Sequence, residues 1–272
     1  MIENKIFSFI GTGNMGGALA VAASKSVPGK DILLSNRTPA KAEALAARLG
    51  AAVVDNPTAA ARADYLFLGV KPQMMAGMLA GIRDALTARE RPCVLVTMAA
   101  GLSTRAIRAL AGVEFPIIRV MPNTPAAIGQ GVVLCCSEGA DDGQLAIFRE
   151  ALSGAGMLDF IDEGLIDAGS AVAGCGPAFA AMLIEALADG GVACGLPRAK
   201  AQAYAAQMLK GTAALALETG DHPGRMKDAV CSPGGSTIQG VRALERGGFR
   251  AAAFEAVVAA YEKTLEMGKG RS

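Results

Sequence analysis

The chain has 272 residues, 52% of them hydrophobic, and balances 26 lysines and arginines against 25 aspartates and glutamates for a formal net charge of +1. That is apolar material enough for one large or two ordinary globular domains, and so even a charge, with no basic block, argues against nucleic acid and anionic membrane as partners. The six cysteines, scattered through apolar surroundings without a CxxC pair and with a single histidine in the chain, exclude a disulfide framework and a zinc site and point to reduced thiols in a cytoplasmic protein that holds no metal.

The opening MIENKIF carries an acid and runs straight into a strand, so no signal peptide is expected. Apolar runs of strand length at 5–10, 31–35, 51–54, 65–70, 93–98 and 115–120 then alternate with segments of helical composition such as PAKAEALAARLG. Strands alternating with helices imply βαβ units, and strands apolar throughout imply a parallel sheet covered on both faces. The expectation is an α/β fold with a doubly wound sheet in residues 1–162 and an all-α domain in 163–272.

In the second half the longest uncharged stretch, 168–184, contains Ser170, Pro177 and several glycines, which suits a packed protein helix better than lipid. Between positions 178 and 188 the only polar residue is Glu185. A helix apolar nearly all the way round must be buried on every side, and a small Ala- and Gly-rich helical domain cannot wrap it alone. A second subunit is expected to complete the cover, giving a homodimer through the C-terminal helices and, beyond it, room for a larger homo-oligomer; the alternative is that this helix lies against the first domain.

The motifs that carry chemistry follow in chain order. Gly11-Thr12-Gly13-Asn14-Met15-Gly16 lies between a strand and a helix, the context of a dinucleotide-binding fingerprint. Gly11 serves the tight turn, Gly13 the approach of the pyrophosphate, and Gly16 close helix–strand packing. The second strand ends in Ser35-Asn36-Arg37-Thr38. An NAD site places an acid there; a hydroxyl, an amide and a guanidinium suit a 2′-phosphate, so NADPH is expected, with NADH possible if Arg37 is only a solvated loop residue. The strand exits GVKPQ (69–73), MAAG (98–101) and MPNTP (121–125) are expected to face the nicotinamide half, the two prolines of the last holding Asn123 and Thr124 in an extended turn. Finally, SPGGST places two glycines before Ser236 and Thr237 at the start of a helix, where bare N–H groups and a partial positive charge suit a carboxylate. Ser232 or Ser236 acting as a plain N-cap is the structural alternative. His222, in GDHPGR, reads as a turn or capping residue.

Together GTGNMG, VKP, MPNTP and above all GRMKDAVCSPGGSTIQGVRALE resemble the pyrroline-5-carboxylate reductase family, in family order from about residue 5 to 265. The resemblance implies an N-terminal Rossmann domain, a helical dimerisation domain, and NAD(P)H-dependent reduction of 1-pyrroline-5-carboxylate to L-proline, the last step of proline biosynthesis. By motif match it implies substrate positions at Ser236, Thr237 and Glu163, which are taken as catalytic; the loop residues Ser232, Gly234 and Gly235 and the MPNTP residue Asn123, read above, are expected to bind substrate beside them. The resemblance implies cofactor positions at Ser35, Asn56, Val70, Lys71, Pro72, Ala99, Ala100 and Gly101, which join residues 11–16 and the Asn36 and Arg37 read above. A cyclic imine can enter protonated, as an iminium, which explains how the reaction proceeds in a chain with one histidine; Thr237 is expected to hydrogen-bond its ring nitrogen.

The chain departs from the family where members read Ser-Gly-Ser-Gly-Pro-Ala-Tyr and this one has Ala173-Gly174-Cys175-Gly176-Pro177-Ala178-Phe179, which leaves a related cyclic imino acid open as substrate. Two other readings compete. A β-hydroxy acid reductase of similar build needs a lysine on the long helix of its second domain, and there is none between Gly174 and Leu196. A non-catalytic dinucleotide sensor has no need of an intact SPGGST loop.

Overall fold

The structure is a computed structural model that describes residues 2–269. Its contacts divide the chain into two compact units. One runs to Cys175 and is rejoined by the chain from Ala260 on, and the other spans Gly176–Ala259.

The first unit alternates β1 (Phe7–Ile10), α1 (Asn14–Ala23), β2 (Ile32–Ser35), α2 (Pro39–Leu49), β3 (Ala52–Val53), α3 (Asn56–Arg62), β4 (Tyr65–Leu68), α4 (Met75–Thr87), β5 (Val94–Thr97), α5 (Thr104–Ala111) and β6 (Ile117–Pro122). It continues with β7 (Gly131–Glu138), α6 (Asp142–Leu152), β8 (Gly156–Phe160) and α7 (Glu163–Ala173). The strands form one sheet in the order 3-2-1-4-5-6-7-8, with β4 and β5 central and parallel and β1 parallel to β4. Every residue of β1, β2, β4 and β5 is buried, as expected of a sheet covered on both faces. Alternate side chains feed two cores. Phe7, Phe9, Tyr65 and Phe67 lie on the face of α1 and α6, where Phe9 stacks on Phe67 with ring centroids 4.3 Å apart. Ile10, Leu66 and Leu68 lie on the other, with Met75, Leu79 and Ile107.

Two strands beyond the six expected, β7 and β8, extend the sheet, and β7 runs antiparallel to β6. Residues 123–130 are too few for a crossover helix, so the chain can only turn back on itself. The turn is not extended throughout. Asn123 is (φ −116°, ψ 168°), but Thr124–Ile128 forms a 3-10 turn: proline fixes its own φ at a value a 3-10 helix also accepts, so Pro125 starts a turn as readily as it ends a strand.

The second unit comprises α8 (Gly176–Ala193), α9 (Arg198–Thr219), α10 (Pro223–Ala229), α11 (Ser236–Arg246) and the first part of α12 (Phe249–Lys269). Of α8 only Ala188 is buried, while Met182, Leu187, Tyr204, Met208, Leu217 and Phe254 are exposed. The run Glu163–Ala193 is long and apolar enough to cross a membrane by length and composition: its most apolar 18 residues have a mean hydropathy of 1.7, and only 11% of them are buried within the chain. It is divided into α7 and α8 at Gly174 and Cys175. So much apolar surface on a polypeptide requires a cover.

All six cysteines are free, and Cys93, Cys135 and Cys136 are buried. Burial pushes the thiol of Cys93 up to about 11, that of Cys135 to about 12 and that of Cys136 to about 11. A thiol held neutral in the folded state but free to ionise when unfolded contributes stability that is full below the unfolded pKa of about 9 and declines as pH rises through the folded one. The protein should therefore lose stability in urea titrations between pH 9 and pH 11, and these three thiols should resist iodoacetamide at pH 8 until it is unfolded.

Candidate functional site

The turn between β1 and α1 is built on glycines whose reasons differ. Gly11 has φ +95°, and a Cβ there would stand 2.6 Å from the carbonyl oxygen of Gly69. A Cβ on Gly16 would overlap the carbonyl oxygen of Gly11. Both glycines are thus required by the packing of β1, α1 and the β4 exit. Gly13 is different: a Cβ there would meet nothing within 4 Å. It is the N-cap of α1, and no side chain caps that helix. Nearby, the buried Thr12 hydroxyl has no partner among the described residues. Open space above Gly13, uncapped N–H groups and an orphaned hydroxyl are the features a dinucleotide pyrophosphate satisfies, so the residues present fit the cofactor.

The exit of β2 is tied to this turn. Asn36 Oδ1 accepts from the Thr12 N–H at 3.1 Å, its Nδ2 donates to the Thr38 carbonyl at 3.0 Å, and the Gly11 N–H donates to the Ser35 carbonyl at 2.8 Å. The Ser35 hydroxyl donates to Asn56 Oδ1 at 2.6 Å, and Asn56 opens α3 behind the cap that Asp55 makes with the Thr58 N–H. Arg37 is exposed and makes no bond among the described residues, so its guanidinium is free to meet a phosphate. No carboxylate stands at Ser35, Asn36 or Arg37.

Further along the same sheet edge lie Val70, Lys71 and Pro72 after β4, with Lys71 exposed, and Ala99, Ala100 and Gly101 after β5, Gly101 at φ +71°. The loop after β5 runs into α5. Ser103 caps that helix by accepting from the Ala106 N–H at 3.1 Å. Glu163, at the start of α7, meets the first residue of α5: its Oε1 accepts from the Thr104 N–H at 2.8 Å and its Oε2 from the Thr104 hydroxyl at 3.0 Å. Behind it Arg119, at the centre of β6 with a side chain 4% exposed, donates to Glu163 at 3.5 Å and to Asp167 Oδ1 at 2.6 Å.

Asn123 is also engaged. Its Oδ1 accepts from the Val132 N–H at 2.9 Å and its Nδ2 donates to the Ala173 carbonyl at 3.0 Å. α7 is therefore fastened at both ends, by Glu163 to α5 and by Ala173 to the β6 exit. An open depression of about 640 Å³ beside Thr104 is walled by Glu138, Asp162 and Glu163; three carboxylates there disfavour phosphates.

Sequence reading passed over Thr104, Arg119 and Asp167. A signal existed: Arg119 is the one charge in an otherwise apolar strand, and Glu163 and Asp167 stand four apart on one helix face, the spacing that lets two carboxylates meet one guanidinium.

In the second unit the SPGGST loop forms a tight turn. The Gly235 N–H donates to the Ser232 carbonyl at 3.0 Å, and Gly234 has φ +70°, the value a type II turn demands at its third residue. A Cβ on Gly235 would meet the Ser232 hydroxyl, which would have to turn aside. Gly235 is also the N-cap of α11, which therefore starts with no side-chain cap. Neither Ser232 nor Ser236 fills that role. The Ser236 and Thr237 hydroxyls are exposed and make no hydrogen bond among the described residues. The neighbouring helix α10, by contrast, is capped: His222 Nδ1 accepts from the Gly224 N–H at 3.1 Å.

Two family models match the chain. Residues 163–267 match pyrroline-5-carboxylate reductase dimerisation, and residues 6–101 match NADP oxidoreductase, coenzyme F420-dependent. Among curated relatives, the pyrroline-5-carboxylate reductase of Escherichia coli is 39% identical, covering 98% of this chain and 100% of its own length. That of Synechocystis is 45% identical over 79% of each chain. A crystal structure of Plasmodium falciparum pyrroline carboxylate reductase with NADP bound superposes with a TM-score of 0.87 at 28% identity, over 98% of this chain and 99% of that one.

Proposed function

The chain belongs to the pyrroline-5-carboxylate reductase family, and from that premise we propose how its residues carry out the NAD(P)H-dependent reduction of 1-pyrroline-5-carboxylate to L-proline. Residues 1–162 hold the dinucleotide. The turn of residues 11–16 receives the pyrophosphate on the bare start of α1, Ser35, Asn36 and Arg37 with Asn56 receive the adenosine end, and Val70, Lys71, Pro72, Ala99, Ala100 and Gly101 line the nicotinamide end. The absence of an acid at the β2 exit supports a preference for NADPH over NADH. When bound, the cofactor supplies a hydride.

Residues 163–272 hold the substrate and the partner. The uncapped start of α11 carries the reading: its N–H groups and the Ser236 hydroxyl take the substrate carboxylate, and the turn at Ser232, Gly234 and Gly235 leaves room for it. The substrate enters with its ring nitrogen protonated, and the Thr237 hydroxyl accepts a hydrogen bond from that N–H. The iminium carbon then accepts the hydride and the nitrogen keeps its proton, so no side chain has to donate one. Glu163 and Asn123 act by fastening α7, on the support of the bonds each makes to the backbone. A second copy of the chain, rather than lipid, covers the apolar surface of α8 and α9, and the free cysteines support a cytoplasmic setting.

The test is oxidation of NADPH with pyrroline-5-carboxylate, repeated with NADH and with six-membered cyclic imino acids. Turnover is expected to be fastest with NADPH and the five-membered ring. An enzyme that binds NADPH but turns over none of these imino acids would be a sensor and would refute the reading.

A further inference from the structure

We propose that Arg119 is a positioning residue: from the interior of the sheet it holds the Glu163 carboxylate on the start of α5, and through that contact sets the conformation of the 99–103 loop on which the cofactor's reactive end rests. The assignment of that end to the loop rests on the function proposed above; the contacts themselves do not.

A buried guanidinium costs several kcal/mol to desolvate unless its charge is met. Here two carboxylates on one face of α7 meet it, Glu163 at 3.5 Å and Asp167 at 2.6 Å. Its Nε finds no partner among the described residues, so the site is not arranged for the fullest satisfaction of the arginine. What the arrangement does secure is the direction of Glu163. With Arg119 on one side, the carboxylate presents its oxygens to the Thr104 N–H and hydroxyl on the other. Thr104 is the first residue of α5, and the loop before it carries Gly101 in the left-handed region between the buried Ala99 and Leu102.

The filled start of α5 has a second effect. Helix starts attract anions, and those of α1 and α11 lack side-chain caps. At α5 the chain's own Glu163 occupies the position, so neither the cofactor's phosphates nor the substrate's carboxylate is drawn there. Glu163 thereby acts as a built-in anion that removes a competing site.

The proposal is tested with Glu163→Gln, which keeps the shape and loses the charge, Thr104→Val, which removes one hydroxyl bond, and the pair Arg119→Lys and Arg119→Met. Two readouts are taken: hydrogen exchange of the amides of residues 99–106 in the free protein, and NADPH affinity by fluorescence titration without imino acid. Glu163→Gln and Thr104→Val should speed exchange at those amides at least fivefold and weaken NADPH three- to tenfold, and Arg119→Lys should restore part of what Arg119→Met loses. Should the Arg119 variants fail to fold, Thr104→Val decides the matter. Unchanged exchange and unchanged NADPH affinity in both Glu163→Gln and Thr104→Val would overturn the proposal, all the more if the KM for the imino acid alone rose, because Glu163 would then be touching substrate. The exchange readout needs no turnover, so it stands or falls separately from the assigned reaction.

Discussion

Gly13→Ser should weaken NADPH binding about a hundredfold, equivalent to about 2.7 kcal/mol, while leaving the free protein as stable as before or slightly more so. The two effects have opposite signs because Gly13 is kept for the ligand and not for the fold. Its backbone is extended, at φ −71°, and a Cβ would meet nothing within 4 Å. Serine is also a better N-cap than most residues, since its hydroxyl accepts from a first-turn N–H. Those same N–H groups and that same space are what the pyrophosphate needs. Gly16→Ala supplies the contrast. There a Cβ overlaps the Gly11 carbonyl, and overpacking against backbone should cost about 2–3 kcal/mol of stability before any cofactor is added. Thermal unfolding with and without NADPH separates the two. Equal destabilisation in both variants would show that the space above Gly13 is not a ligand space.

Thr237→Ala should lower kcat/KM for pyrroline-5-carboxylate between about tenfold and a hundredfold, the range for losing one hydrogen bond to a charged group, with NADPH affinity and unfolding temperature unchanged. Ser236→Ala should act mainly through KM, because a carboxylate bond is present before and during hydride transfer alike. Neither hydroxyl makes a hydrogen bond among the described residues, and both residues are exposed, so a drop in activity is not a folding effect. Steady-state kinetics in both substrates provide the check. Wild-type values for Thr237→Ala would remove that residue from the mechanism and leave the N–H groups of α11 and the Ser236 hydroxyl as the substrate anchors.

The parallel half of the sheet was legible because its strands are apolar on both faces and each is followed by a helix. β7 and β8 were not. GVVLCCSE has a strand's composition, but it follows β6 after a turn that contains no helix, and the alternating rule stops applying where the chain doubles back. β8 alternates half-buried and exposed residues at the sheet edge, a weak signal. Within the site, glycines and hydroxyl residues announced themselves by local order: the turns at 11–16 and 232–237 can be read from a few adjacent letters. The Arg119, Glu163 and Thr104 contact joins three distant segments, and no short window of sequence holds it. Asn123 illustrates the same limit. Its motif put it at the nicotinamide edge, but its hydrogen-bonding groups are spent on Val132 and Ala173, partners that only the antiparallel turn brings near.

That α7 is pinned at Glu163 and again at Ala173 turns its length into a fixed gauge. Inserting a single alanine between the pins would rotate one relative to the other by about 100° and separate them by about 1.5 Å, so one of them must let go. Substitutions on the outward side of this helix leave both pins in register. Redesign of the protein can therefore repaint the outward side of α7 but cannot lengthen or shorten the helix.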